Sequence, residues 1–373
     1  MFISLLMPKW NNATYITNNF YLRSLKSAFS AIMRASVIIL LYSVFPPFAF
    51  FVAVAGVVMT LVSITCEFCF KRKLLPQLRV KFSYFNIKKI KTLISSGIWN
   101  TVSSCGNILL EGLDILIANI FISPIASGIF ALSKIIPNML NQIAGSITST
   151  FGPPLIYLYV DAKISKIKAV TSKNIKLISI IASIPIGVTI VMGSSFFKLW
   201  VPSQNENELA QLSSLALIGT LVIAMGNCIN NIFIVVNKLK FNSIMVVISG
   251  LFNTTIVYLL LKTTDLGIYA IAGVSTILTI IRLFGFVAPY AARCIDEKWY
   301  TFYIPIIRGM INIIAPMIFA IIVKKIIPTS TWIGFFIAVF VTCIITLLFN
   351  GIFVLNKEER YEFLKLLHIK IKK

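Results

Sequence analysis

Histidine is almost absent from this 373-residue sequence. The only one, His368, sits near the carboxyl end, which removes histidine-based metal sites and catalytic triads from consideration. Acidic residues are scarce as well, 12 Asp and Glu against 34 Lys and Arg, so a carboxylate inside an apolar stretch stands out. Of the six cysteines, Cys66 and Cys69 have redox or metal spacing. They fall on one turn of an apolar segment without partner ligands, so structure is the expected role. Long polar segments are missing too. The longest connection on the side away from the Lys-rich loops is near Val201–Glu208. That is too short for a loop carrying the catalytic carboxylates or arginines of a membrane polymerase or glycosyltransferase, and an enzyme is not expected. Residues 1–27 are polar and mixed, without an apolar core followed by a small-residue cleavage site, so no secretory signal peptide is expected.

What is abundant is apolar sequence. With 58% hydrophobic residues and a mean hydropathy of +0.92, the chain reads as an all-α polytopic membrane protein. About ten spans are expected, near residues 28–45, 48–70, 92–121, 126–155, 174–199, 209–236, 242–262, 267–290, 302–323 and 330–355. Pro46, Pro47, Pro137, Pro153, Pro154, Pro185 and Gly187 are expected to kink or break helices. The net charge of +22 would suggest nucleic acid in a soluble protein. Here the cations gather in the connections between apolar spans, which makes them topology signals, and no nucleic-acid partner is expected.

With the amino terminus in the cytoplasm, the cytoplasmic side receives the cluster from Lys71 to Lys91, then Lys163–Lys176, Lys238, Lys240, Arg293, Lys298 and the tail. The other side receives only Lys198, Lys262, Lys324 and Lys325, together with Glu206, Glu208 and Asp265. Both termini are therefore expected to be cytoplasmic. The tail, residues 357–373, reads as a basic amphipathic segment on the anionic inner leaflet.

The hairpin 92–159 holds three ionisable residues within apolar sequence, Glu111, Asp114 and Lys134. Each costs roughly 2.5–3.5 kcal/mol at mid-membrane depth, so mutual pairing or a wet cavity is required. A turn at 122–126 brings them to similar depth, with Glu111 and Asp114 on one helix face. A structural ion pair and a group that works during transport are both compatible with that spacing. Arg34, Arg282 and Arg308 also fall in apolar stretches, where they either snorkel to headgroups or hold phosphate oxygens with their planar forks.

Ala53–Val57 resembles Ala270–Val274, both in spans running outside to inside, as parallel repeats require. Chance in a chain rich in Ala, Gly and Val is the alternative. If the repeat is real, about four helices are expected to be missing from the amino-terminal end. Further motifs follow in order: Lys73-Leu74-Leu75-Pro76, Ser96-Gly97-Ile98-Trp99-Asn100, Leu113–Asn119, Gly128-Ile129-Phe130-Ala131, Gly152-Pro153-Pro154, Leu199-Trp200-Val201, Asn237–Lys240 and Pro289-Tyr290. Over residues 34–291 this order resembles the polysaccharide flippases of the multidrug/oligosaccharidyl-lipid/polysaccharide (MOP) exporter superfamily, especially the O-antigen (Wzx-type) transporters.

The resemblance implies a two-lobed MOP/MATE-like fold with six-helix lobes and a further helical pair. It divides the chain into a remnant of a first lobe (1–70), a basic linker (71–91), a complete second lobe (92–291), the extra pair (292–355) and the tail (356–373). It implies movement of undecaprenyl-diphosphate-linked O-antigen or other polysaccharide units from the cytoplasmic to the periplasmic leaflet. The implied partners are that lipid-linked oligosaccharide, membrane lipids, and polysaccharide polymerase and chain-length machinery. No cofactor is expected, and coupling to Na+ or H+ stays open. Two alternatives stand beside it, a MATE-like drug/cation antiporter and a nonfunctional truncated product.

Overall fold

The computed structural model describes residues 14, 17, 19–46, 48–77, 85–161 and 164–354. Part of the basic linker, including Arg79 and Lys81, and the whole tail 357–373 lie outside the described residues. The chain divides into two compact units, Met1–Ile90 and Lys91–Lys373.

The first unit is built on a hairpin of α1 (Phe20–Val44) and α2 (Ala49–Leu74). Phe45, ahead of Pro46, is extended, because a proline ring disfavours the helical conformation of the residue before it. Within the hairpin the Lys26 ammonium pairs with Glu67 Oε1 at 2.6 Å, both side chains largely buried. Lys71, Arg72 and Lys73 close α2, where cations complement the carbonyl end of the helix dipole.

The second unit begins within α3 (Ile87–Asn107), which passes through a π-helical turn, Ile108–Gly112, into α4 (Asp114–Phe121). Helices α5 (Pro124–Ser133), α6 (Ile135–Ser149) and α7 (Gly152–Val160) return. Next come α8 (Ile164–Trp200), α9 (Glu206–Val235), α10 (Leu239–Thr263) and α11 (Ile268–Arg282), the last running through a π turn, Leu283–Val287, into α12 (Ala288–Cys294). The unit finishes with α13 (Tyr303–Ile311), α14 (Ile314–Ile326), α15 (Trp332–Phe349) and a π turn at Asn350–Val354.

Eight helices among the described residues are long and apolar enough to cross a membrane, or nine when the pair bent by 42° at Gly97–Gly112 and Asp114–Phe121 is counted as one span. The chain is an all-α polytopic membrane protein. One of the ten expected spans, 126–155, is not a single helix. Pro137 has no N–H for the Ser133 carbonyl, and Pro153 and Pro154 have none for Ser149 and Thr150, so the ladder opens at each place. At Pro185, where a kink or break is expected, the helix is not broken. Helix α8 runs on for 37 residues with Pro185 inside it, and Thr189 Oγ1 donates to the Pro185 carbonyl at 2.7 Å.

Helices α8 and α9 form the core of the second unit, about two-thirds buried along their apolar windows. The α9–α10 turn is closed by Asn237 at φ 53°, with Lys238 N–H donating to Phe233 O and Asn237 N–H to Ile234 O. That is the paired bonding that lets a left-handed residue end a helix. Where α3 crosses α10, a Cβ on Gly250 would sit 2.8 Å from Gly106 O, and one on Gly106 would sit 2.7 Å from Val247 N. Only glycines allow that approach, and it carries the polar residues of α3 up to those of α10.

Candidate functional site

Asp114 opens α4 and is completely buried. The Lys134 ammonium, at the α5–α6 junction, donates to Asp114 Oδ2 at 2.5 Å and lies over the Phe130 ring, 4.9 Å from its centre. Ser275 Oγ on α11 lies 3.3 Å from the same carboxylate oxygen and 3.4 Å from Asn253 Oδ1. Asn253 on α10 donates through Nδ2 to the Leu110 carbonyl at 2.9 Å. Leu110 belongs to the π turn, whose wider winding leaves carbonyls without the usual partner within the helix. One buried network therefore ties α4, α5, α10 and α11 to the bend ahead of Asp114.

Glu111 behaves differently. It lies within the π turn, ahead of Asp114, and makes no ion pair or hydrogen bond among the described residues. Of the two carboxylates expected within reach of Lys134, only Asp114 is paired. Glu111 instead lines two adjoining cavities. The smaller, about 40 Å³, is also bounded by Lys134, Asn138, Asn141, Ser275 and Thr279, with room for a water or a monovalent cation.

The larger cavity, about 470 Å³, lies within the helical unit; half of its lining residues are amides, and Ile223, Ile234, Leu239 and Val246 supply an apolar wall. Asn100, Ser103 and Asn107 come from one face of α3, and Asn141 and Gln142 from α6. Asn227 and Asn230 come from α9 and Asn242 from α10, while Arg282 ends α11. Asn230 Oδ1, Asn242 Oδ1 and Arg282 Nε are buried without a hydrogen-bond partner. Polar atoms left without partners in an apolar bundle are costly. Amides both donate and accept, which suits hydroxyl-rich ligands, and the guanidinium presents paired donors to an anion.

Of the residues singled out from sequence, Glu111, Asp114, Lys134 and Arg282 thus meet at one place. Arg308 does not join them and lines a separate pocket with Lys173 and Lys176. Arg34 is exposed on α1 of the first unit. The amide lining was missed by attention to formal charge. Its signal was present, since Asn100, Ser103 and Asn107 are spaced i, i+3, i+7, and Asn227 and Asn230 i, i+3.

No protein-family model matches the chain, and no solved structure does. The chain is similar to a Bacillus subtilis (strain 168) protein described as "Uncharacterized membrane protein EpsK", 24% identical over 368 residues that span 97% of this chain and 72% of that protein.

Proposed function

We propose that this chain works as a flippase, translocating polyprenyl-diphosphate-linked saccharide units, such as O-antigen or another polysaccharide repeat, across the bacterial inner membrane. The observation that carries the reading is the amide-lined cavity of about 470 Å³ with Arg282 in its wall. Sugar hydroxyls would exchange bonds with Asn100, Asn141, Asn227 and Asn230, and the diphosphate would meet the guanidinium. The similar Bacillus subtilis protein is described as a membrane protein, which agrees with a role in the membrane. The excess of Lys and Arg on alternate connections supports cytoplasmic termini and loading from the cytoplasmic leaflet. Polysaccharide polymerase and chain-length proteins would receive the product on the far side.

A drug/cation antiporter has one observation in its favour, the buried Asp114–Lys134 network beside the small cavity, where Na+ or H+ could couple to movement. The larger cavity argues against cations as cargo, because its one carboxylate, Glu111, is offset by Arg282 and leaves no net negative charge.

The test replaces amides by an apolar residue of similar size. Asn141→Leu combined with Asn230→Leu, made at the gene's own locus, removes two hydroxyl partners. Each lost partner costs about 1–3 kcal/mol. Surface polysaccharide should fall at least tenfold, at normal protein level, while lipid-linked saccharide accumulates facing the cytoplasm. Unchanged surface polysaccharide would remove the saccharide reading.

A further inference from the structure

A second large cavity, about 590 Å³, shares no lining residue with the amide chamber. Its size lies within the roughly 300–1,000 Å³ of small-molecule sites. It is formed where the beginning of α8, helix α13 and the π turn at Asn350–Val354 come together. Lys173 and Lys176, neighbours on one face of α8, supply two cations, and Arg308 of α13 supplies a third. The Arg308 guanidinium makes no ion pair or hydrogen bond among the described residues. Asn312, also in the wall, donates through Nδ2 to Ser179 Oγ at 3.1 Å and ties α13 to α8.

The rest of the lining is apolar and open. Ile304, Ile311 and Phe353 are 57%, 55% and 73% exposed, a surface that in a membrane meets acyl chains. The cations sit toward the end of α8 that follows Lys163 and carries Lys166 and Lys168, the basic and therefore cytoplasmic side. Phosphate-binding charge beside an acyl-facing wall, between transmembrane helices on that side, is what an anionic lipid headgroup requires. A soluble anion would have no use for the apolar wall. A saccharide would find only Ser172 and Asn312 as neutral side-chain partners.

We infer that this pocket binds an anionic phospholipid of the cytoplasmic leaflet, with its phosphate among Lys173, Lys176 and Arg308 and its acyl chains along Ile304, Ile311 and Phe353. Bound there, the lipid fastens α13 and the end of α15 to α8, and so sets the position of the terminal helices against the core of the second unit. This site is separate from the transported cargo and stands whether or not the flippase reading holds.

The test is native mass spectrometry of the full chain in detergent, titrated separately with phosphatidylglycerol, diphosphatidylglycerol, phosphatidylcholine and undecaprenyl phosphate. The two anionic phospholipids should bind at least tenfold more tightly than phosphatidylcholine. Each cation near a headgroup is worth about fivefold. Lys173→Gln, Lys176→Gln and Arg308→Gln together should therefore weaken the anionic phospholipids on the order of 100-fold. Phosphatidylcholine should be unaffected, and Lys262→Gln, elsewhere on the surface, should change nothing. If the triple variant is not monodisperse, Arg308→Gln alone decides, with a loss of about fivefold expected. Undiminished phosphatidylglycerol and diphosphatidylglycerol binding in the deciding variant would overturn the site. So would undecaprenyl phosphate binding more tightly than either.

Discussion

Lys134→Ala is expected to destabilise the second unit by about 3–5 kcal/mol, and adding Asp114→Asn is expected to restore most of that loss. The single change leaves a fully buried carboxylate whose ammonium partner stood at 2.5 Å. The double change removes the charge and keeps an amide where Ser275 and Asn253 already supply polar neighbours. Lys134→Ala with Glu111→Gln should not recover, because Glu111 faces the cavities and is not the ammonium's partner. Thermal melting of each variant in detergent, followed by loss of the monodisperse peak, reads the three results directly. Simple additivity of Lys134→Ala and Asp114→Asn would dissolve the pair as a stabilising unit. Recovered folding without recovered transport would assign the two charges a working role beyond holding the bend.

Arg282→Gln is expected to do the reverse, leaving the fold intact and removing transport. The guanidinium forms no ion pair among the described residues and its buried Nε has no partner, so little structural bonding is lost with it. Two charge-assisted bonds to a diphosphate at about 1.5–3 kcal/mol each correspond to a loss of roughly 10²–10⁴ in cargo affinity. Arg282→Lys should recover only part of this, since an ammonium keeps the charge and loses the planar fork. Surface polysaccharide, normalised to protein level, is the readout. Normal output from Arg282→Gln would place the diphosphate elsewhere.

The sequence carried the helical, membrane-spanning character, because long apolar runs separated by cationic connections have few other structural solutions. It also carried the choice facing the charges of that hairpin, mutual pairing or a wet cavity, and the structure uses both, Lys134 pairing with Asp114 while Glu111 faces the cavities. It did not carry which carboxylate pairs. That choice goes with the π turn at Ile108–Gly112, which holds Glu111 while Asp114 opens the helix after it, and which has no residue signature of its own. Pro137 and Pro185 show the same limit from the other direction. Both lie in apolar helical sequence, yet α8 runs through Pro185 while the chain breaks ahead of Pro137.

The amide chamber was legible in spacing but invisible to charge, because asparagine in an apolar span changes neither the formal charge nor the span count. Its convergence is also a long-range fact. Asn100 and Asn242 meet across helices brought together by Gly106 and Gly250, and that crossing is not written in either segment alone. Arg308 teaches the same lesson, since its companions Lys173 and Lys176 are distant in sequence and belong to another helix.

The most direct test of the central reading is to ask what occupies the chamber in a living cell. A photoreactive amino acid placed at Asn230, whose carbonyl oxygen is buried and unpartnered, would be illuminated in polysaccharide-producing cells. The adducts would then be identified by mass spectrometry. The account predicts a saccharide-bearing polyprenyl diphosphate on that residue and none on the same probe at Ile277, which is exposed on α11. Adducts at Asn230 consisting only of phospholipid, or equal saccharide labelling at Ile277, would contradict it.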